Sequence, residues 1–132
     1  MVKKITENPR TVTIAKEFVY GGRHCVISFV DNANLRKLAN DTNYADRYLS
    51  DYHNGYIEIK ESEHKEEFDY HLCEEVTFLG DLSFLGKDPD RIYIGFDTMH
   101  YYNHENPETK TLEHVKIQCI KIVDELNEQL TS

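Results

Sequence analysis

Seven apolar side chains near the C-terminus, Leu112, Val115, Cys119, Ile122, Val123, Leu126 and Leu130, recur at spacings of three and four. That period is the signature of an amphipathic α-helix, and its apolar stripe must be buried against another element. A helix this long needs a wide apolar surface beneath it. The remaining chain offers β-rich runs, so the helix is expected to lie across a sheet. Burying seven such side chains contributes on the order of 10 kcal/mol gross, before conformational entropy is subtracted. Cys119 sits within the stripe and reads as structural.

The runs that could make the sheet follow in order. Thr11 to Tyr20 and Arg23 to Val30 are rich in β-branched and aromatic residues and are separated by Gly21-Gly22. Two such runs around Gly-Gly predict a hairpin, because a tight primed turn needs positive φ that glycine adopts without strain. Capping side chains at Asp31, Asn32 and Asn34 predict a short helix near 33–40. Tyr44, Ala45, Tyr48, Leu49 and Tyr52 predict one helical face between 40 and 53, with Arg47 beside it. Asn54-Gly55 is expected to turn the chain into a strand at Tyr56 to Ile59. Val76 to Leu79 predicts a further strand. Ile92 to Phe96 is the most strongly β-like run, and Gly95 inside it implies a bulge or a close approach of backbone or ligand. Asn106-Pro107-Glu108 resembles a helix start, with Thr111 as a second cap. The order predicts an α+β domain: a mostly antiparallel sheet of about five strands with the long C-terminal helix on one face. Residues 1–10 are expected to be a loosely held lead-in and 11–132 a single domain.

At 132 residues the chain suits one core. Fifteen Lys and Arg against 24 Asp and Glu leave a net charge of −9, which disfavours sequence-independent binding to nucleic-acid phosphates. Three widely spaced cysteines, Cys25, Cys73 and Cys119, lie in apolar patterns; they argue against a disulfide framework and for a reducing compartment. No secretory-signal core and no run of membrane-spanning length is visible, so the expected location is the cytosol. Residues 58–75 carry eight acids against Lys60 and Lys65. That run reads first as a solvated loop and second as an acidic face for a partner.

The densest polar cluster follows the Gly95 strand: Asp97, His100, Asn103, His104 and Asn106 within ten residues, with Tyr101 and Tyr102 between them. A plain connection does not require this, so the strand exit is the expected functional edge. His100 and His104, with Asp97, His71 and Cys73, raise a metal site, but without a paired Cys-x-x-Cys the spacing is weak support. No surroundings of a catalytic nucleophile, no Walker loop and no G-x-G-x-x-G occur. Recognition without catalysis or cofactor is the expectation, with the chain's tyrosines and phenylalanines as stacking walls or simply as core. An anionic nucleotide would require Arg47, Arg91, Lys87 or Lys116, or a neighbouring subunit, to neutralise it.

Four segments carry a resemblance: Asn54-Gly55-Tyr56-Ile57, Val76-Thr77-Phe78-Leu79-Gly80, Ile94-Gly95-Phe96-Asp97-Thr98-Met99-His100, and the ending Gln118-Cys119-Ile120-Lys121 to Glu128-Gln129-Leu130. In this order they resemble a group of small phage and prophage proteins with a Gly-Tyr-Val strand, a His-Gly-Gly-Leu-Thr-Phe element, an Ile-Gly-Phe-Asp-x-x-His strand and a Cys-containing final helix. Through this group the chain resembles the first-described type of anti-Thoeris protein, which the group takes in, a non-enzymatic sponge for a cyclic ADP-ribose signal of bacterial immunity. The resemblance implies a homo-oligomer holding the nucleotide between subunits. This chain departs from the pattern at Cys73-Glu74-Glu75, where the group has His-Gly-Gly, and at Lys60 to Asp69, where a Gly- and Pro-rich loop is replaced. The expected site is a pocket of Tyr56, Phe78, Phe96, Asp97, His100 and Tyr101, with Arg47 and Arg91 as the expected cations. Phe78 or Tyr101 would stack on the base, Asp97 accept from ribose hydroxyls and His100 donate. The alternatives are an anti-CRISPR-like acidic inhibitor that sets Glu58 to Glu75 against a basic host nuclease, and a metal-dependent hydrolase using His100 and His104.

Overall fold

Gly21 and Gly22 both hold positive φ, 59° and 77°, and close a hairpin between β1 (Thr11–Tyr20) and β2 (Arg23–Asp31) as the Gly-Gly signal predicts. The computed structural model describes residues 10–65, 68 and 72–131. After the hairpin come α1 (Ala33–Leu38), α2 (Thr42–Tyr48), β3 (Tyr52–Ile59), β4 (Thr77–Gly80), β5 (Ile92–Phe96), α3 (Tyr101–Glu105) and α4 (Leu112–Thr131). The five strands form one antiparallel sheet in the order β1-β2-β3-β5-β4, so β5 returns between β3 and β4. The chain is thus an α+β domain with the C-terminal helix across one face.

Strand alternation sorts the core into two layers. Beneath α4, Cys25, Ile27, Ile57, Ile59, Ile94 and Phe96 pack against Val115, Cys119, Ile122, Val123 and Leu126. The helical stripe therefore does what its spacing predicts, with Leu112 half-buried at its start; the Leu130 side chain lies outside the described ones. On the opposite face Val26, Tyr56 and Tyr93 are covered by Leu82 and Leu85 from the loop between β4 and β5. Among the described residues no helix is long and apolar enough to cross a membrane.

Several local expectations are corrected. α2 ends at Tyr48, and Tyr52 opens β3 instead of continuing a helical face; Tyr44 and Tyr48 do lie together, their rings 5.0 Å apart. Asn54-Gly55 is not a turn. Gly55 pairs with Ile27 and Phe96 in mid-strand, and a Cβ there would stand 2.5 Å from the Phe96 ring and 2.7 Å from the Cys119 sulfur. Glycine is needed for close packing at this position, not for a bend. Asn106-Pro107 starts only a 3₁₀ turn, Pro107–Lys110. The long helix begins after Thr111, whose Oγ1 accepts the His114 N–H at 3.3 Å. Cys73 is exposed, unlike Cys25 and Cys119.

The acidic run is partly structural. Glu63, in a 3₁₀ turn (Glu61–Glu63), is buried and accepts two hydrogen bonds from Arg23, at 2.6 and 3.0 Å. Glu58 accepts the His24 N–H and stands 3.8 Å from Arg91. Glu66, Glu67 and Asp69 lie outside the described residues, as do residues 1–9 of the expected lead-in.

Candidate functional site

The exit of β5 does open on a hollow, but not the one expected. On the face away from α4, Asn54, Tyr56, Thr77, Leu79, Gly95, Phe96 and Asp97 border a recess of about 200 Å³. Tyr56 stands opposite Gly95 in the ladder and its hydroxyl lies 3.1 Å from Ser28 Oγ. The Phe96 ring goes the other way, beneath α4 onto Gly55. Phe78 pairs with Ile94, packs on the same helix-side core, and stacks on His64 at 3.8 Å. The period of two in a strand separates these rings: Tyr56 faces one side of the sheet, Phe78 and Phe96 the other. Asp97 is exposed, accepts the Met99 N–H at 2.9 Å and sits 3.4 Å from His100 Nε2.

The remaining expected residues lie elsewhere. Tyr101 opens α3 and is exposed. Arg47 pairs with Glu105 and lies over the Tyr48 ring. Arg91 borders a second recess of about 210 Å³ with His24, Lys87 and Tyr93, at the start of β5, opposite the Asp97 end. Neither arginine reaches the hollow beside Gly95.

A larger cleft, about 490 Å³, is the one His100 borders. Its walls come from Cys73, Glu74 and Glu75, from the start of α3 (His100, Tyr102, Asn103), and from the first turns of α4 (His114, Gln118). Local hydrogen bonds explain why α3 forms at all. The Asn103 side chain accepts the His100 N–H at 3.0 Å and donates to Thr109 Oγ1 at 2.8 Å, while Thr109 donates to the Asn106 carbonyl. Capping at one end and a buried amide in the middle substitute for an apolar stripe.

Two features give the cleft chemistry. Gln118 is only 9% exposed, and its Oε1 is buried without a hydrogen-bond partner, while its Nε2 lies 3.4 Å from His114 Nε2. A buried acceptor left unpaired is costly and invites a donor. Burial pushes the Glu74 carboxyl above its ordinary range, Asp97 adds to this, and His100 opposes it. The wall is thus a set of acceptors that includes one carboxyl with a raised pKa. Sequence reasoning reached His100 and the altered Cys73-Glu74-Glu75 motif. It missed His114 and Gln118, which the i, i+4 spacing on the edge of the helical stripe could have joined.

Behind α3, Lys110 is 4% exposed and hydrogen-bonds Ser50 Oγ and His104 Nδ1, both at 2.8 Å. Burial lowers the pKa of Lys110; burial and the Lys110 charge lower that of His104. His104 is therefore held as a neutral partner of Lys110. Among the described residues no group of three His, Cys, Asp or Glu side chains stands close enough to hold a metal ion; His71 lies outside them. No family model, curated protein or solved structure matches this chain.

Proposed function

We propose that the chain is a non-catalytic binding protein, a phage counter-defence sponge that sequesters a nucleotide immune signal of the cyclic ADP-ribose type. The cleft beside His100 is its receiving site. One observation carries the reading. His100, which ends the third segment of the resemblance, and Cys73-Glu74-Glu75, where the chain departs from the group's second motif, are walls of a single cleft. Its volume of about 490 Å³ falls within the range of roughly 300–1,000 Å³ usual for small-molecule pockets.

The acidic walls set a condition on the ligand. Phosphates cannot lie against Glu74 and Glu75 without neutralisation, so they face outward, toward a cation from a second copy of the chain, in line with the oligomer the resemblance implies. Calorimetry against cyclic ADP-ribose isomers and cyclic oligonucleotides tests the reading, and no heat with any of them rejects it. Bound ligand at a hundredfold excess over its Kd would also stabilise the fold by about 2.7 kcal/mol.

The acidic-inhibitor alternative draws less support. Glu63 is buried on Arg23, and Glu58 accepts the His24 N–H and faces Arg91, so these two acids of the run are engaged within the fold.

A further inference from the structure

Resting on that sequestration reading, we infer that the cleft reads the base of its ligand and leaves the phosphates outside, and that the group it selects is an adenine-type amino-heterocycle whose exocyclic amine donates to Gln118 Oε1.

The orphan acceptor comes first. Gln118 is 9% exposed, lines the cleft, and its Oε1 finds no donor among the described residues. Its complement is an N–H or O–H group delivered by a ligand. The lining narrows the choice, because three residues with flat rings, Tyr102, His100 and His114, border the same space. Tyr102 is 64% exposed and so accessible to a flat group, and base stacking on such rings tolerates any heterocycle. Discrimination then falls to Gln118.

Charge settles which end of a nucleotide enters. Glu74 and Glu75 are walls of the cleft and Asp97 sits beside His100. These acids repel phosphate and favour a donor-bearing group. An exocyclic amine carried on a flat ring, as adenine presents it, matches the Gln118 acceptor and the Tyr102 side chain of the same cleft.

The test uses the full chain and titration calorimetry with adenosine, purine riboside (which lacks the amine), putrescine and cyclic ADP-ribose. Adenosine is expected to bind at least about tenfold more tightly than purine riboside, and Gln118→Met to remove that preference while circular dichroism and Tm stay unchanged. Equal affinity for the two nucleosides overturns the inference, as does putrescine binding in preference to adenosine. Should Gln118→Met fail to fold, the two nucleosides on the wild-type chain decide alone. Cyclic ADP-ribose bound without discrimination between the nucleosides sinks the base-reading inference and spares sequestration. Adenosine preferred with cyclic ADP-ribose ignored does the reverse. No binding of any probe removes both.

Discussion

Replacing Glu63 by Gln tests whether the acidic run is a structural clasp. Arg23 is 7% exposed, and its guanidinium donates to Glu63 through two nitrogens, to the Glu58 carbonyl at 3.2 Å and to Asn127 Oδ1 at 2.9 Å. Neutralising the carboxylate leaves a buried cation with neutral acceptors only. Breaking a buried pair in this way costs about 3–5 kcal/mol, and the retained amide oxygen puts Glu63→Gln at about 3 kcal/mol. With a urea slope of about 2 kcal/mol/M, the midpoint should fall by roughly 1.5 M. Glu61→Gln, on an exposed neighbour in the same turn, should stay within about 0.5 kcal/mol of wild type. The pH dependence adds a second readout. Burial alone would raise the Glu63 pKa, but hydrogen bonds from Arg23 and the Lys60 N–H outweigh it and the net shift is downward. A depressed carboxylate stabilises the fold fully above its unfolded pKa and loses that contribution as pH falls through the folded one. The gap between wild type and Glu63→Gln should therefore be full at neutral pH and close below about pH 4.5. A variant within 0.5 kcal/mol of wild type at pH 7, in the urea titration, refutes the clasp.

Three other outcomes follow from the packing. Gly55→Ala should cost about 1–3 kcal/mol by denaturant titration, because its Cβ meets a ring and a sulfur that are both held beneath α4. Among the cysteines, only Cys73 should react with a thiol reagent in the native state; Cys25 is buried with its pKa pushed up to about 12, Cys119 is pushed up further, and both should react only on unfolding. His104 has a lowered folded pKa, so the unfolded chain takes a proton first as pH falls below about 6.5 and stability drops. Urea midpoints at pH 7.5 and 5.5 should show that drop in wild type and a smaller one in His104→Gln, and an equal drop in both removes His104 as its source.

The sheet and its covering helix were legible because each rests on a local pattern. Gly21-Gly22 between two β-rich runs has few other solutions, and the stripe from Leu112 to Leu126 fixes which face of α4 is buried. Errors arose where the same residue type serves two purposes. Gly55 after Asn54 has the chemistry of a turn, yet it is glycine because Phe96 and Cys119 occupy the space a Cβ would need. Tyr52 continues the spacing of Tyr44 and Tyr48, but the helix stops and the same ring is buried from the sheet instead. The site was half legible. His100 and the 73–75 turn stood out as motifs, whereas their meeting with Gln118 depends on how the strand exit and α4 are set against each other.

That setting comes from the core and not from the cleft. Val115 and Cys119 are completely buried against the sheet, which fixes the rotation of α4 about its own axis. Gln118 lies about 100° around the helix from Cys119, at the border between the apolar stripe and the polar side. Its amide is carried into a buried position by the packing of its neighbours, with no hydrogen bond of its own to offset the loss of water at Oε1. At the other wall, the Asn103 amide bridges the His100 N–H and Thr109, so the turn that leads into Thr111 and α4 is tied to the same residue that closes the first turn of α3. Asn103 is thus a positioning residue for both sides of the cleft. A shape set by the core and by a buried amide is present before any ligand arrives, which lowers the ordering cost of binding that the proposed sequestering role would have to meet.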